Sequence, residues 1–188
     1  GAVACLAGGG LMALLAGDPR HATFSWLVVF TYFMSLSLGG IFFVLLHHLC
    51  GARWSVVLRR LAETLMMCLP VALLMGLPLL FILPSIYAWA DPQFLAANPL
   101  VRIKTPYLNQ MFFIIRFVFY AAVWLALALL YYRRSLKQDE IAGAELMLSM
   151  QRWAGPGLVL MAFTITFFSF DWLMSLEPKW FSTIFGVY

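Results

Sequence analysis

The feature that most constrains this chain is a series of long apolar runs separated by short polar stretches. Four of them, at about 24–49, 65–83, 111–132 and 157–176, are long enough to cross a bilayer, whose hydrocarbon core of about 30 Å takes about 20 helical residues. Segments in lipid must satisfy their own backbone groups, and these runs do not alternate as barrel strands do. The predicted fold class is therefore all-α, a polytopic transmembrane helix bundle.

Composition also indicates a membrane protein. Hydrophobic residues make up 64% of the 188 residues and charged residues 11%, whereas a soluble domain is nearer half apolar and a quarter charged. The net charge of +4 is small, and no basic run is interleaved with exposed aromatic residues. We therefore exclude nucleic acid as a partner and expect a lipid bilayer around the chain.

Two further runs are incomplete. The run at 2–16 would span only about 22 Å as a helix, and the last run begins near Trp180 and stops at Tyr188. The chain also begins with Gly1 rather than Met. We expect residues 1–188 to form a single transmembrane helical domain with four full and two partial spans, and to be an internal fragment of a larger subunit.

Small residues recur at every fourth position in the first two runs, as Ala4/Gly8, Gly9/Ala13 and Thr31/Ser35/Gly39. This spacing lets helix backbones approach closely, so it predicts a packed bundle. The third run contains Pro70 and Pro78, which remove backbone donors, and we expect it to be bent. The bend is either a packing kink or part of a gate.

The basic residues predict an orientation. Seven of the twelve follow the second and fourth runs, and four follow the first, third and fifth. Since cytoplasmic loops carry the excess of Lys and Arg, residues 50–64 and 133–156 are predicted to be cytoplasmic. Each includes a segment, 53–63 or 141–153, that is predicted to lie on the membrane surface as an amphipathic helix. The connection 84–110 is predicted to lie outside, ordered but irregular.

Arg116 and Asp171 are charged residues at membrane depth. Each lies about one and a half turns from the outer end of its run, and antiparallel helices place them at one level, so we predict that they approach each other directly or through water. The pair is either a structural lock between two helices or part of a proton path. An aspartate bonded tightly to an arginine would be a poor proton carrier.

A second polar group is predicted at the inner end, where His47 and His48 close the second run and Glu63 opens the third. These residues form either an ordinary interfacial cluster or a point where protons enter. A haem between two helices would need histidines on both, and the remaining histidine, His21, is at the opposite end. A bis-histidine haem is therefore not expected.

Other patterns indicate no cofactor site in this chain. The three cysteines, Cys5, Cys50 and Cys68, lack the spacing of haem or iron–sulfur ligands and are expected to be buried apolar residues. No nucleotide-binding, zinc-protease or hydrolase motif is present. In the closing turn, Trp172 and Trp180 are predicted as interfacial anchors around a Glu177 that is solvated or faces an external subunit.

Three stretches resemble a known family: "SLGGIFFVLLHHLCGARWSVVLRRLAE", "PYLNQMFFIIRFVFYAAVWLALALLYYRRSLKQDE" and "FDWLMSLEPKWFSTIFGVY". They are similar to the ActF-type membrane subunits of bacterial alternative complex III, a quinol:cytochrome c oxidoreductase, within the NrfD-like (polysulfide-reductase membrane subunit) superfamily. The resemblance covers about residues 35–188, and the order and spacing of the three blocks agree with it.

The resemblance implies a location in the bacterial inner membrane and three kinds of partner: a sister NrfD-like membrane subunit, an iron–sulfur subunit and c-type cytochrome subunits. Haem c and iron–sulfur clusters would belong to those partners. Menaquinol or ubiquinol would be the substrate of the complex. This chain would bind no cofactor and would be an accessory subunit that supports quinol oxidation and proton conduction. Asp171, Arg116 and Glu63 lie on the matched blocks and are carried over as candidates.

Two other functions stay open at this point. A secondary transporter or permease would use bent helices and charges at the membrane midplane to line a substrate path. The charged residues here lie near the ends of the runs instead, and the fragment contains no inverted repeat. The second alternative is a purely structural assembly subunit.

Overall fold

The computed structural model describes residues 19–51, 56–140 and 144–187. Within these residues the chain is an all-α bundle, and four helices are long and apolar enough to cross a membrane. These candidate spans are Arg20–Leu49, Leu58–Phe81, Gln110–Asp139 and Glu145–Leu176. The four predicted full spans are confirmed, whereas the incomplete run at 2–16 lies outside the described residues.

The first described helix, α1 (Pro19–Leu49), has 31 residues and is therefore about 46 Å long. It ends where Gly51 adopts a φ of 57°, a left-handed conformation that glycine takes without steric cost. The amides of Cys50 and Gly51 donate to the carbonyls of Leu46 and His48. We call the end of the bundle that holds residues 82–109 and 173–187 the loop end.

The second span consists of two helices, α2 (Val56–Met67) and α3 (Leu69–Phe81). They are separated at Cys68, and Pro70 occupies the first turn of α3, where its missing amide is tolerated. Pro78 lies inside α3, which ends one turn later. The span is thus interrupted at Cys68, two residues before Pro70.

This span begins earlier than the sequence predicts. The segment 53–63, predicted as a surface helix, is described from Val56 onward and forms the first turns of the span. Its polar face is satisfied inside the bundle, because Arg59 and Glu63 contact side chains of the following long helix. The prediction of a separate amphipathic helix is therefore wrong for these residues.

The two remaining long helices are α7 (Gln110–Glu140) and α8 (Ala144–Trp172). The segment 141–153, predicted to lie on the surface, continues into the membrane-spanning helix from Ala144 onward. Met150 is fully buried, and its carbonyl accepts a hydrogen bond of 2.9 Å from Tyr131 of α7. The surface-helix prediction is wrong here because this stretch packs against α7, and Pro156 lies inside α8 without ending it.

Helix α1 packs closely against α2 at Gly40, a residue that is not part of the predicted small-residue pattern. A Cβ at Gly40 would lie 2.7 Å from the Met66 amide nitrogen and 2.8 Å from the Ala62 carbonyl oxygen, so only glycine lets α1 and α2 meet. A Cβ at Gly39 would meet nothing within 4 Å. The predicted face Thr31/Ser35/Gly39 is therefore not the contact between described helices. The pairs Ala4/Gly8 and Gly9/Ala13 lie outside the described residues.

The loop end is ordered and irregular, as predicted. It contains three short helices, α4 (Leu83–Ile86), α5 (Pro92–Ala97) and α6 (Pro99–Arg102). Asp91 caps α5 by accepting a hydrogen bond from the Gln93 amide. After α8 the chain does not enter another long helix within the described residues; it forms turns and a short 3-10 turn, Phe185–Val187, that packs on α8.

The core of the bundle is aromatic around Trp172, which is fully buried. Its ring lies 4.7 Å from Phe30, 5.1 Å from Phe113 and 5.2 Å from Phe117, measured between ring centres. The prediction that Trp172 is an interfacial anchor is wrong, because the last turn of α8 faces inward. Trp180, in contrast, is 50% exposed, which fits an interfacial position.

Three smaller predictions concern exposure. Cys50 and Cys68 are exposed, so the expectation of buried cysteines is wrong for both. Cys50 follows the end of α1 and Cys68 lies at the break between α2 and α3, while Cys5 lies outside the described residues. Glu177 is exposed, as predicted.

Candidate functional site

The first polar cluster lies at the loop end, where the second turn of α7 faces the last turn of α8. Arg116 donates two hydrogen bonds to Asp171, from Nε to Oδ2 at 2.8 Å and from Nη2 to Oδ1 at 2.7 Å. Asp171 is 1% exposed and Arg116 is 8% exposed. The predicted approach of these residues is confirmed, and the contact is direct and bidentate.

Neighbouring groups enclose this ion pair. The Tyr120 hydroxyl donates to Asp171 Oδ2 at 2.9 Å, and Arg116 Nη1 donates to the Tyr107 carbonyl at 2.9 Å. The guanidinium carbon lies 3.9 Å from the centre of the Tyr107 ring, and Ser175 donates to the Asp171 carbonyl. The cluster therefore connects α7, α8 and the loop that precedes α7.

This geometry favours the structural alternative for the pair. Both carboxylate oxygens of Asp171 accept hydrogen bonds, and protonation would leave Arg116 as an uncompensated charge in a poorly solvated site. Tyr107 lies outside the membrane spans, and burial, reinforced by the nearby charge of Asp171, raises the pKa of its hydroxyl. The Tyr107 hydroxyl therefore stays neutral beside the ion pair.

The second polar cluster lies at the opposite end and is centred on Glu63, which is 1% exposed. Glu63 Oε1 accepts a hydrogen bond of 2.5 Å from Ser135, and Oε2 accepts one of 2.9 Å from Arg60. Arg59 Nε lies 3.4 Å from Oε1. Both arginines precede Glu63 by three or four residues on α2, so they share its helix face, whereas Ser135 reaches it from α7.

The Glu63 cluster differs from the Asp171 cluster because it extends to the surface. Arg60 also forms an ion pair with Asp139, and the two side chains are 45% and 44% exposed. Arg59 donates to Gln138 at 3.3 Å. The buried carboxylate of Glu63 is thus bonded to a side chain that water reaches at this end of the bundle, and a group that exchanges protons needs water nearby.

The two predicted histidines lie beside this cluster. The rings of His47 and His48 are 5.3 Å apart, and both residues are buried. His47 interacts electrostatically with Arg59 and Glu63, which agrees with the predicted common level of His47 and Glu63. His48 packs 5.5 Å from the Tyr131 ring, and its buried Nε2 makes no hydrogen bond to the described residues.

Sequence reasoning identified Arg116 but missed the other buried polar residues on the same face of α7. Arg116, Tyr120, Trp124, Tyr131 and Ser135 are all buried, and their spacings of four and seven place them on one helix face. We call this set the α7 polar face. Trp124 donates to the Thr164 hydroxyl of α8 at 2.9 Å. The helical spacing of hydrogen-bonding residues within an apolar run is the signal that could have identified them.

Among the described residues, no three His, Cys, Asp or Glu side chains come together in a way that could hold a metal ion. No protein-family model matches this chain, and no curated protein sequence matches it. The structure therefore defines a class, a multi-pass helical membrane protein with a buried polar cluster near each end.

Proposed function

We propose that this chain is an integral membrane subunit of a quinol:cytochrome c oxidoreductase of the alternative complex III type. One observation carries the proposal: the three sequence blocks that resemble this family are the blocks that meet in the two polar clusters. The first block contributes Glu63 and the third contributes Asp171. The second block supplies a partner to each, Ser135 and Arg116.

In this proposal the chain binds no cofactor, and menaquinol or ubiquinol is the substrate of the whole complex. Haem c and iron–sulfur clusters belong to partner subunits, namely c-type cytochromes and an iron–sulfur subunit. The sister NrfD-like subunit lies beside this chain in the bacterial inner membrane. The exposed apolar side chains on the outward surfaces of the spans, such as Val118, Phe119, Val159 and Phe163, support the location in a membrane.

The two clusters take different roles. Asp171 and Arg116 lock α7 to α8, since their contacts leave no carboxylate oxygen free. Both oxygens of Glu63 also accept hydrogen bonds, but its partner Arg60 is 45% exposed, whereas Arg116 is 8% exposed. Water can therefore replace Arg60 at Glu63, which makes Glu63 the better candidate for a proton path. With residues 50–64 and 133–156 on the cytoplasmic side, this path would open towards the cytoplasm, where protons for translocation are taken up.

The proposal is tested by purifying the full-length protein from native membranes in a mild detergent through an affinity tag. We expect c-type cytochromes and an iron–sulfur protein to co-elute in fixed ratio with the tagged chain. Elution of the chain without haem or iron–sulfur proteins would contradict the proposal and would favour the transporter alternative.

The proton path is tested with Glu63→Gln in the assembled complex. Glutamine keeps one acceptor oxygen for Arg60, and its amide nitrogen can donate to the Ser135 hydroxyl, but it cannot exchange a proton near neutral pH. We expect quinol oxidation to continue while the number of protons moved per electron falls in proteoliposomes. Glu177→Gln, at an exposed carboxylate, is the matched control and should leave proton movement unchanged. Normal proton movement in Glu63→Gln would assign a purely structural role to Glu63.

A further inference from the structure

A cavity of about 350 Å³ lies at the loop end between the segment before α7 and the chain after α8. Its walls are mainly apolar and aromatic and include Phe170, Met174 and Phe181. Its size is near the lower limit for small-molecule sites, about 300–1,000 Å³. The cavity therefore has room for part of an apolar molecule.

The cavity is lined by one basic residue, Lys104. Lys104 lines it and donates from Nζ to the Pro178 carbonyl at 2.7 Å. No carboxylate among residues 19–51, 56–140 and 144–187 lies within ion-pair distance of Lys104. An ammonium has three donors, so two remain after the bond to Pro178. The charge on Lys104 is thus held in place and is not neutralised by the described part of the chain.

The position of the cavity relates it to the lipid headgroups. Lys104 precedes the span Gln110–Asp139, and Pro178 follows the span Glu145–Leu176. Two more cavity residues, Trp180 and Phe181, are 50% and 73% exposed. Exposed aromatic residues beside a lysine at the ends of membrane spans are typical of the headgroup region.

We propose that this cavity binds one anionic phospholipid, with the phosphate at the ammonium of Lys104 and an acyl chain between Phe170, Met174 and Phe181. Charge complementarity decides the headgroup, because an unpaired cation at the mouth of an apolar cavity matches an anionic group joined to a hydrocarbon chain. The site does not depend on the function proposed above.

The cavity also adjoins the first polar cluster. Tyr107 lines it, and the same ring stacks on the guanidinium of Arg116. Ser175, another cavity residue, donates to the Asp171 carbonyl. A lipid in the cavity would therefore pack against side chains that hold the ion pair, and we expect it to stabilise the loop end of the bundle.

The test is lipid binding to the purified full-length protein, measured by native mass spectrometry with added phosphatidylglycerol. Lys104→Gln removes the charge but keeps a donor for the Pro178 carbonyl, and we expect binding to weaken about fivefold, as the loss of one lysine at a membrane surface predicts. Lys179→Gln is the matched control, because Lys179 lies over the Phe94 ring and does not line the cavity. It should bind phosphatidylglycerol as the wild type does.

A second variant and two competitors keep the test decisive. Met174→Trp fills the acyl site and should weaken phosphatidylglycerol binding without touching the charge, and its folding is checked by unfolding without added lipid. Diacylglycerol should bind more weakly than phosphatidylglycerol, and inorganic phosphate should not displace the lipid. Three results would each overturn the proposal: equal binding of diacylglycerol, displacement by inorganic phosphate, or equal losses in Lys104→Gln and Lys179→Gln.

Discussion

Replacement of Asp171 by asparagine is the perturbation with the largest expected effect on stability. It leaves Arg116, which is 8% exposed, without its counter-charge. Removing one partner of a buried ion pair costs about 3–5 kcal/mol, because the remaining charge is poorly solvated. We expect the free energy of unfolding of Asp171→Asn to fall by about this amount.

A double-mutant cycle separates coupling from simple loss of contacts. Arg116→Met alone leaves Asp171 charged and buried, and it should also cost about 3–5 kcal/mol. The double variant Arg116→Met/Asp171→Asn contains no uncompensated charge. It leaves the Tyr107 carbonyl and the amide nitrogen introduced at position 171 unpaired, at about 1–3 kcal/mol each if no water reaches them. The free energy of unfolding of the double variant should therefore be little lower than that of either single variant.

The assay is equilibrium unfolding in mixed micelles with increasing sodium dodecyl sulfate, followed by tryptophan fluorescence. Glu177→Gln is the control, since its carboxylate is exposed and surface substitutions usually change stability by less than about 0.5 kcal/mol. The reasoning is refuted if Asp171→Asn behaves like Glu177→Gln, or if the double variant loses the sum of the two single effects.

Three other predictions follow from single contacts. Gly40→Ala should destabilise the protein by about 1–3 kcal/mol, because the new methyl group would overlap backbone atoms of α2. Gly39→Ala is the control, since its methyl group would meet no atom within 4 Å, and it should unfold like the wild type in the same micelle assay. Equal losses of stability in the two variants would contradict the close contact at Gly40. Ser135→Ala should lower stability by about 1.5–3 kcal/mol, since Glu63 loses a hydrogen bond of 2.5 Å; no change would show that the bond is dispensable. In a variant whose other cysteines are replaced, Cys50, which is exposed after α1, should react with an impermeant maleimide only after the membrane is permeabilised. Labelling of Cys50 in intact spheroplasts would contradict the predicted orientation.

The apolar runs predicted the four spans that the described residues contain, because burial in lipid requires about 20 apolar residues per helix. They predicted helix ends less well. The segments at 56–63 and 144–153 are polar enough to suggest a surface position, yet each continues a spanning helix. Their polar side chains or backbone groups find partners across the bundle, and a single run of sequence does not contain those partners.

The ion pair of Arg116 and Asp171 could be predicted because isolated charges at the same depth of an apolar bundle must be compensated. The rest of each cluster could not be identified in the same way. Tyr120 and Ser135 look like ordinary residues of an apolar helix, and their importance comes from the carboxylates that α8 and α2 place opposite them.

The small-residue pattern shows a different limit. Thr31, Ser35 and Gly39 have the spacing of a helix contact, but the contact between α1 and α2 is formed at Gly40, one residue away. A shift of one residue rotates the contact face by about 100°. The prediction for Trp172 was wrong for a similar reason. Its position near a helix end suggested an interfacial anchor, but its side chain faces the core.

The measurement that tests the central claim most directly is an activity assay on the complex isolated through a tag on this chain. We expect the eluate to reduce cytochrome c when quinol is added, and we expect this activity to follow the chain through a second column. An eluate that contains the intact chain in monodisperse form, but no haem c and no quinol-dependent reduction of cytochrome c, would contradict it.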